Sequence, residues 1–176
     1  MRRLGDFLRR YGRHGRDRFL RKNPQPVLVV ELDDATRDGW VGFRTDTLSR
    51  ESLVLEDEYS DVIEKIGNKA VIKLADSGSS TWEGQISVGR AINNDIAIPD
   101  KSVSKLHAYF AIEEERVTLT DADSKNGTVV NSARLKEEEV VTLKSRDQIR
   151  FGKVEVVFLS SKDFADLLDG FLARES

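Results

Sequence analysis

Although a lone arginine is more often simply a surface residue, Arg90 and, from a second loop, Ser104 and Lys105 are of types that could grip a phosphate monoester. Such a group carries about −1.5 to −2 charge at neutral pH and three strong acceptor oxygens. A guanidinium meets it as a planar, permanently charged fork, a hydroxyl adds a neutral donor and an ammonium adds a point charge. A second cation, Lys125, precedes Asn126-Gly127, a pair whose tolerance of positive φ reads as a tight turn. Ser104, His107 and Asp121 or Asp123 superficially supply a serine hydrolase set. Residues i and i+3 at a strand start do not aim an imidazole at the serine hydroxyl, however, and no Gly-x-Ser-x-Gly elbow is present. Walker A and Gly-x-Gly-x-x-Gly patterns are absent too, so a binding protein is expected rather than an enzyme.

These residues need a scaffold, and the sequence around them reads as short β runs separated by turn residues. Strands are predicted at 70–74, 86–89, 95–98, 107–112, 117–120, 127–130, 140–143, 148–151 and 154–159, with a breaker run at 76–80. Nine strands in about ninety residues without an intervening helix indicate a β-sandwich or barrel. After Ser160 the period returns to 3.6: Phe164, Leu167, Leu168, Phe171 and Leu172 predict a C-terminal helix over 161–173, with Ser161 near its N-cap and Asp163 in the first turn. Upstream, Leu4, Phe7, Leu8 and Tyr11 share one helical face among arginines. Gly12 and Gly15 weaken that helix, and Phe19-Leu20 resumes it before Asn23-Pro24.

The order Gly89-Arg90, Asn94-Asp95-Ile96, Ser104-x-x-His107 and Asn126-Gly127-Thr128-x-x-Asn131 resembles the forkhead-associated (FHA) domain, a phosphothreonine-binding module, over about residues 66–160. The resemblance implies an all-β, FHA-type antiparallel β-sandwich whose loops converge at one end, here with a basic N-terminal helix and a short C-terminal helix. It implies that Arg90, Ser104 and Lys105 hold phosphate, that Asn126 bonds the main chain of the bound peptide, and that Lys125 leans towards the phosphate or the residue after it. His107 is expected to brace the serine loop, Gly89 and Gly127 to permit close backbone approach, and Thr128 and Asn131 to support the site. The family commonly continues Asn-Gly where this chain has Asn131-Ser132, which weakens that turn.

Composition sets the outer bounds. The 176 residues hold 28 Lys+Arg against 31 Asp+Glu, no Cys, and His14 and His107 alone among histidines. Disulfides, thiolate metal sites, cysteine nucleophiles and multi-histidine metal centres are thereby excluded, and no cofactor is implied. No run reaches the roughly 18 to 20 apolar residues of a membrane span, and a soluble, cytoplasmic protein is expected. The near-neutral total is uneven: residues 1–22 carry +7 and residues 23–61 carry −7. The chain divides accordingly into a basic amphipathic segment (1–22), an acidic connector (23–61), the FHA body (62–160) and the C-terminal helix (161–176).

The connector holds one clear strand candidate, 27–32, and a weaker one around 40–43. The expected partner is a threonine-phosphorylated protein, with no specific nucleic acid. The connector itself, through Thr45 or Thr47 and less strongly Thr36, is a further candidate ligand once phosphorylated. The head either docks its apolar stripe on the body or a partner, or touches an acidic membrane surface, RNA or an acidic protein, and a helix this short is marginal in water if left alone. The competing function is a phosphate-independent scaffold that acts through that helix.

Overall fold

The computed structural model describes residues 2–32, 69–75 and 84–173. The connector strand predicted near 40–43, Thr36, Thr45, Thr47 and the breaker run at 76–80 lie outside them.

Twelve strands are found among the described residues: β1 (Arg2–Arg3), β2 (Val27–Glu31), β3 (Lys69–Lys73), β4 (Gln85–Gly89), β5 (Ile96–Ala97), β6 (Ala108–Glu113), β7 (Arg116–Asp121), β8 (Thr128–Val130), β9 (Ala133–Arg134), β10 (Val140–Thr142), β11 (Gln148–Phe151) and β12 (Val154–Leu159). They form a seven-stranded sheet, β1-β3-β2-β12-β11-β8-β9, and a five-stranded sheet, β10-β7-β6-β4-β5. Pairing is antiparallel throughout except for the short parallel contact of β4 with β5. The predicted sandwich is therefore what the chain forms. The alternation that predicted it is visible in β12, where Val154, Val156 and Phe158 are buried and Glu155 is exposed. Phe110 and Phe151, one from each sheet, meet edge to face at the centre of the core at 6.2 Å.

β2 departs from alternation: Val27, Leu28, Val29 and Val30 are all buried. Both of its faces are covered. Leu28 and Val30 enter the inter-sheet core, whereas Val27 and Val29 lie beneath a helical layer on the outer face. Its position between β3 and β12 makes it an interior strand of the sandwich, so the sheet draws on a stretch that charge alone groups with the connector.

The outer layer comprises α1 (Leu4–His14), α2 (Arg16–Lys22) and α3 (Ser161–Leu172). Gly15, at φ +73°, breaks the head into two helices. Leu4, Phe7, Leu8, Tyr11 and Phe19 pack with Phe164 and Leu168 over Val27, Val29, Val71 and Leu159, and the Phe7 and Phe164 rings stand 5.3 Å apart. Arg16 pairs with both Asp166 and Asp169, and the Tyr11 hydroxyl donates to Asp169. Burial, reinforced by Asp169, pushes the Tyr11 phenol up to about 12. The apolar stripe of the head is thus used within the chain. Ser160, not Ser161, caps α3: its backbone is extended and its Oγ accepts from the Asp163 N–H at 3.1 Å, whereas Ser161 already belongs to the helix.

Candidate functional site

The predicted site residues come from three loops at one end of the sandwich, and backbone hydrogen bonds tie those loops together. β4 ends at Gly89, so Arg90 opens the first loop. The Arg90 N–H donates to the Ser104 carbonyl at 2.8 Å and the Ala91 N–H to the Lys105 carbonyl at 3.1 Å. Asn94 extends this zipper by donating Nδ2 to the carbonyls of both Ala91 and Lys105 at 2.7 Å. Gly89 is where the approach is closest: a Cβ there would stand 2.2 Å from the Lys105 carbonyl oxygen. No other residue type fits without moving the serine loop.

The serine loop is fixed from beneath by His107, which is fully buried. Its Nδ1 accepts the Ser104 N–H at 3.0 Å, which leaves Nε2 to carry the proton and donate to the Gly127 carbonyl at 3.2 Å. Burial holds its pKa below the ordinary imidazole value, against the opposing pull of the Gly127 carbonyl and Asp121, so the ring stays neutral. One imidazole therefore pins the Ser104 loop to the Asn126 loop.

The third loop closes on the second. The Lys125 N–H donates to Ser104 Oγ at 3.0 Å, filling one lone pair of the hydroxyl and leaving its own proton to be donated elsewhere. Asn126 donates Nδ2 to the Ser102 carbonyl at 2.6 Å, which fixes the amide and leaves its carbonyl oxygen and second N–H for another partner. Arg90, Lys105, Lys125 and Asn126 are all exposed. Among the described residues, the Arg90 side chain bonds through Nε to the Val103 carbonyl at 3.2 Å, an attachment that leaves its terminal nitrogens unengaged.

Gly127 has a different reason from the expected one. Its φ of +78° demands glycine, while the group a Cβ would meet is the flexible end of Arg134 rather than backbone. The close approach at this end is instead at Gly152, where a Cβ would lie 2.4 Å from the Ser102 carbonyl oxygen. Ser102 also receives the Lys153 N–H on its Oγ at 2.9 Å, joining the serine loop to the β11–β12 turn. Gly152 and Ser102 carry no signature in the sequence, because their importance lies in a contact between distant segments.

Asp121 emerges as the buttress of the asparagine loop. Its carboxylate accepts from Thr128 Oγ1 at 2.5 Å and from both the N–H and Oγ of Ser124 at 2.8 Å. Burial raises its pKa, but these three donors together outweigh burial and hold it below the usual carboxylate value. The Ser104-His107-Asp121 set is consequently not wired as a relay. Both ring nitrogens engage backbone groups, and Asp121 turns to Thr128 and Ser124. Asn131, at φ +47°, donates Nδ2 to Asp147 at 2.7 Å and accepts the Gln148 N–H at 2.9 Å, tying β8 to β11 at the end of β8 opposite the Asn126 loop.

A sandwich that presents this loop constellation defines a class, and the FHA domain family matches residues 86–152. Over that span, which holds all three loops, the chain resembles an FHA domain. It is 35% identical over 74 residues to the glycogen accumulation regulator GarA of Mycobacterium tuberculosis, covering 42% of this chain and 44% of that protein. It is 34% identical over 113 residues to an ABC transporter ATP-binding/permease protein of the same organism, covering 61% of this chain and 12% of that protein. The chain thus spans less than half the length of either relative. A solved structure from work on phosphothreonine-dependent FHA domain interactions aligns at a TM-score of 0.47 and 22% identity, over 76% of this chain and 95% of that one. Among the described residues, no helix is long and apolar enough to cross a membrane.

Proposed function

We propose that this protein is a non-enzymatic adaptor that reads phosphothreonine in an extended segment of a partner, downstream of a Ser/Thr kinase. Arg90, Ser104 and Lys105 hold the phosphate, Lys125 adds a second ammonium, and Asn126 bonds the peptide main chain. The observation that carries this reading is the Lys125 N–H to Ser104 Oγ bond, which orients the hydroxyl as a donor in a loop hydrogen-bonded to exposed Arg90. A dianion there would meet a guanidinium fork, a hydroxyl proton and two ammonium groups without displacing any ion pair found among the described residues. The scaffold reading is less favoured, since the apolar stripe it would use is buried against α3 and β2.

Binding to a phosphothreonine peptide library tests the proposal. Arg90→Ala is expected to cost at least about 2 kcal/mol of affinity, because charge-assisted hydrogen bonds contribute about 1.5 to 3 kcal/mol each. Binding that is independent of phosphate, or unchanged in Arg90→Ala, would overturn it.

Strand register favours the connector as a second ligand. Glu31 pairs with Lys69, and Val30 pairs with Val156, two residues beyond Val154 and close to the Gly152-Lys153 turn that holds Ser102. β2 therefore ends, and β3 begins, at the end of the sandwich that carries the site. Phosphorylated at Thr45 or Thr47, the connector would compete at an effective concentration of about millimolar order. Phosphorylated protein that binds external phosphopeptide as tightly as the unmodified chain, and stays monomeric, would refute this.

A further inference from the structure

We infer that the α1–α2 layer is a docking face for an anionic membrane surface, separate from the loop site. Arg10, Arg13, Arg18, Arg21 and Lys22 are exposed on these two helices, along with His14. Asp17 is the one exposed acid on the pair; Asp6 lies beside Arg9, and Asp166 and Asp169 of α3 are taken up by Arg16. Partial desolvation and the charges of Arg18, Lys22, Arg13 and Arg10, drawn from both helices, hold the pKa of His14 down.

The shape of the layer selects the partner. Each of the three helices packs against the other two, so α1 does not project as a single rod. A major groove is about 12 Å wide and one helix with its side chains already fills it. Phe7, Tyr11 and Phe19 are buried, which leaves the head no exposed aromatic on which a single-stranded base could stack. A set of exposed guanidinium and ammonium groups without wedge or stacking platform suits the phosphates of a bilayer surface. Since the apolar stripe is already committed to the core, attachment is electrostatic and peripheral rather than inserted.

Co-sedimentation of the full chain with phosphatidylcholine vesicles, with and without a third of phosphatidylglycerol, tests this. Binding is expected only to the anionic vesicles and should vanish at about 1 M salt, where the Debye length is about 3 Å. Each cation removed should weaken it about fivefold, so Arg13→Gln/Arg18→Gln/Arg21→Gln should lose about a hundredfold while keeping the wild-type melting temperature and phosphopeptide binding. Equal sedimentation with neutral vesicles, persistence at high salt, an unaffected triple variant, or tighter binding to duplex DNA than to the anionic vesicles would each overturn the inference.

Discussion

The backbone N–H of Ser104 donates to Nδ1 of His107 at 3.0 Å, and this bond decides which nitrogen of the buried ring keeps its proton. A doubly protonated ring would place an N–H against an N–H and would give up the contact that shapes the serine loop.

A pH dependence of stability follows. The folded-state pKa of His107 lies below its unfolded value, so the unfolded chain takes up a proton first as pH falls through about 6.5. The contribution of the neutral ring is complete above that pH and shrinks below it. Asp121 adds a loss in the same direction at lower pH, beginning near its unfolded value of about 3.9, because its folded pKa is also depressed. Melting temperature at high salt, which screens exposed His14, should fall between about pH 6.5 and 5 in the wild type and in His14→Ala. The fall should be absent in His107→Asn, whose baseline stability is lower.

Gly89→Ala should destabilise the domain by at least about 2 kcal/mol, since its Cβ would stand 2.2 Å from the Lys105 carbonyl oxygen and the serine loop would have to shift. Denaturant titration measures the loss. Phosphopeptide affinity of the folded fraction should drop as well, because the displaced loop carries Ser104.

Ser132→Gly should stabilise by about 1 kcal/mol, the usual cost of holding a non-glycine residue in the left-handed region. Ser132 has φ +71° beside Asn131 at +47°, the pattern of a tight hairpin turn in which a second glycine is favoured. A lower denaturation midpoint in this variant would show that the hydroxyl compensates for the strain.

Phe7→Ala tests the docked head. Phe7 is 3% exposed and touches the rings of Phe19 and Phe164, so truncation should cost about 3 to 5 kcal/mol. A cost below about 1 kcal/mol in urea unfolding would mean that the helical layer is not part of the cooperative unit.

Much of the sandwich was legible because the core strands alternate: Gln148–Phe151 and Val154–Leu159 are found where the sequence predicts them. The two-residue strands Arg2–Arg3 and Ala133–Arg134 were not, since a period of two cannot register in so short a run. Among the candidate site residues, Arg90, Ser104 and Asn126 stood out by type and order. Ser102 and Gly152 did not, and Asp121 suggested a catalytic acid when its role is to hold a loop.

The sequence by itself determined the number and order of the main strands, the charge asymmetry of head and connector, and the residue types available for phosphate. These depend on local periodicity and side-chain chemistry. Tertiary structure alone decided that the apolar stripe of the head closes on Phe164 and Val27, that β2 lies inside its sheet, and that Arg90, Ser104 and Lys125 share one end of the sandwich. Those outcomes rest on hydrogen bonds and packing between segments far apart in the chain, and no local pattern encodes which distant partner a strand or helix will find.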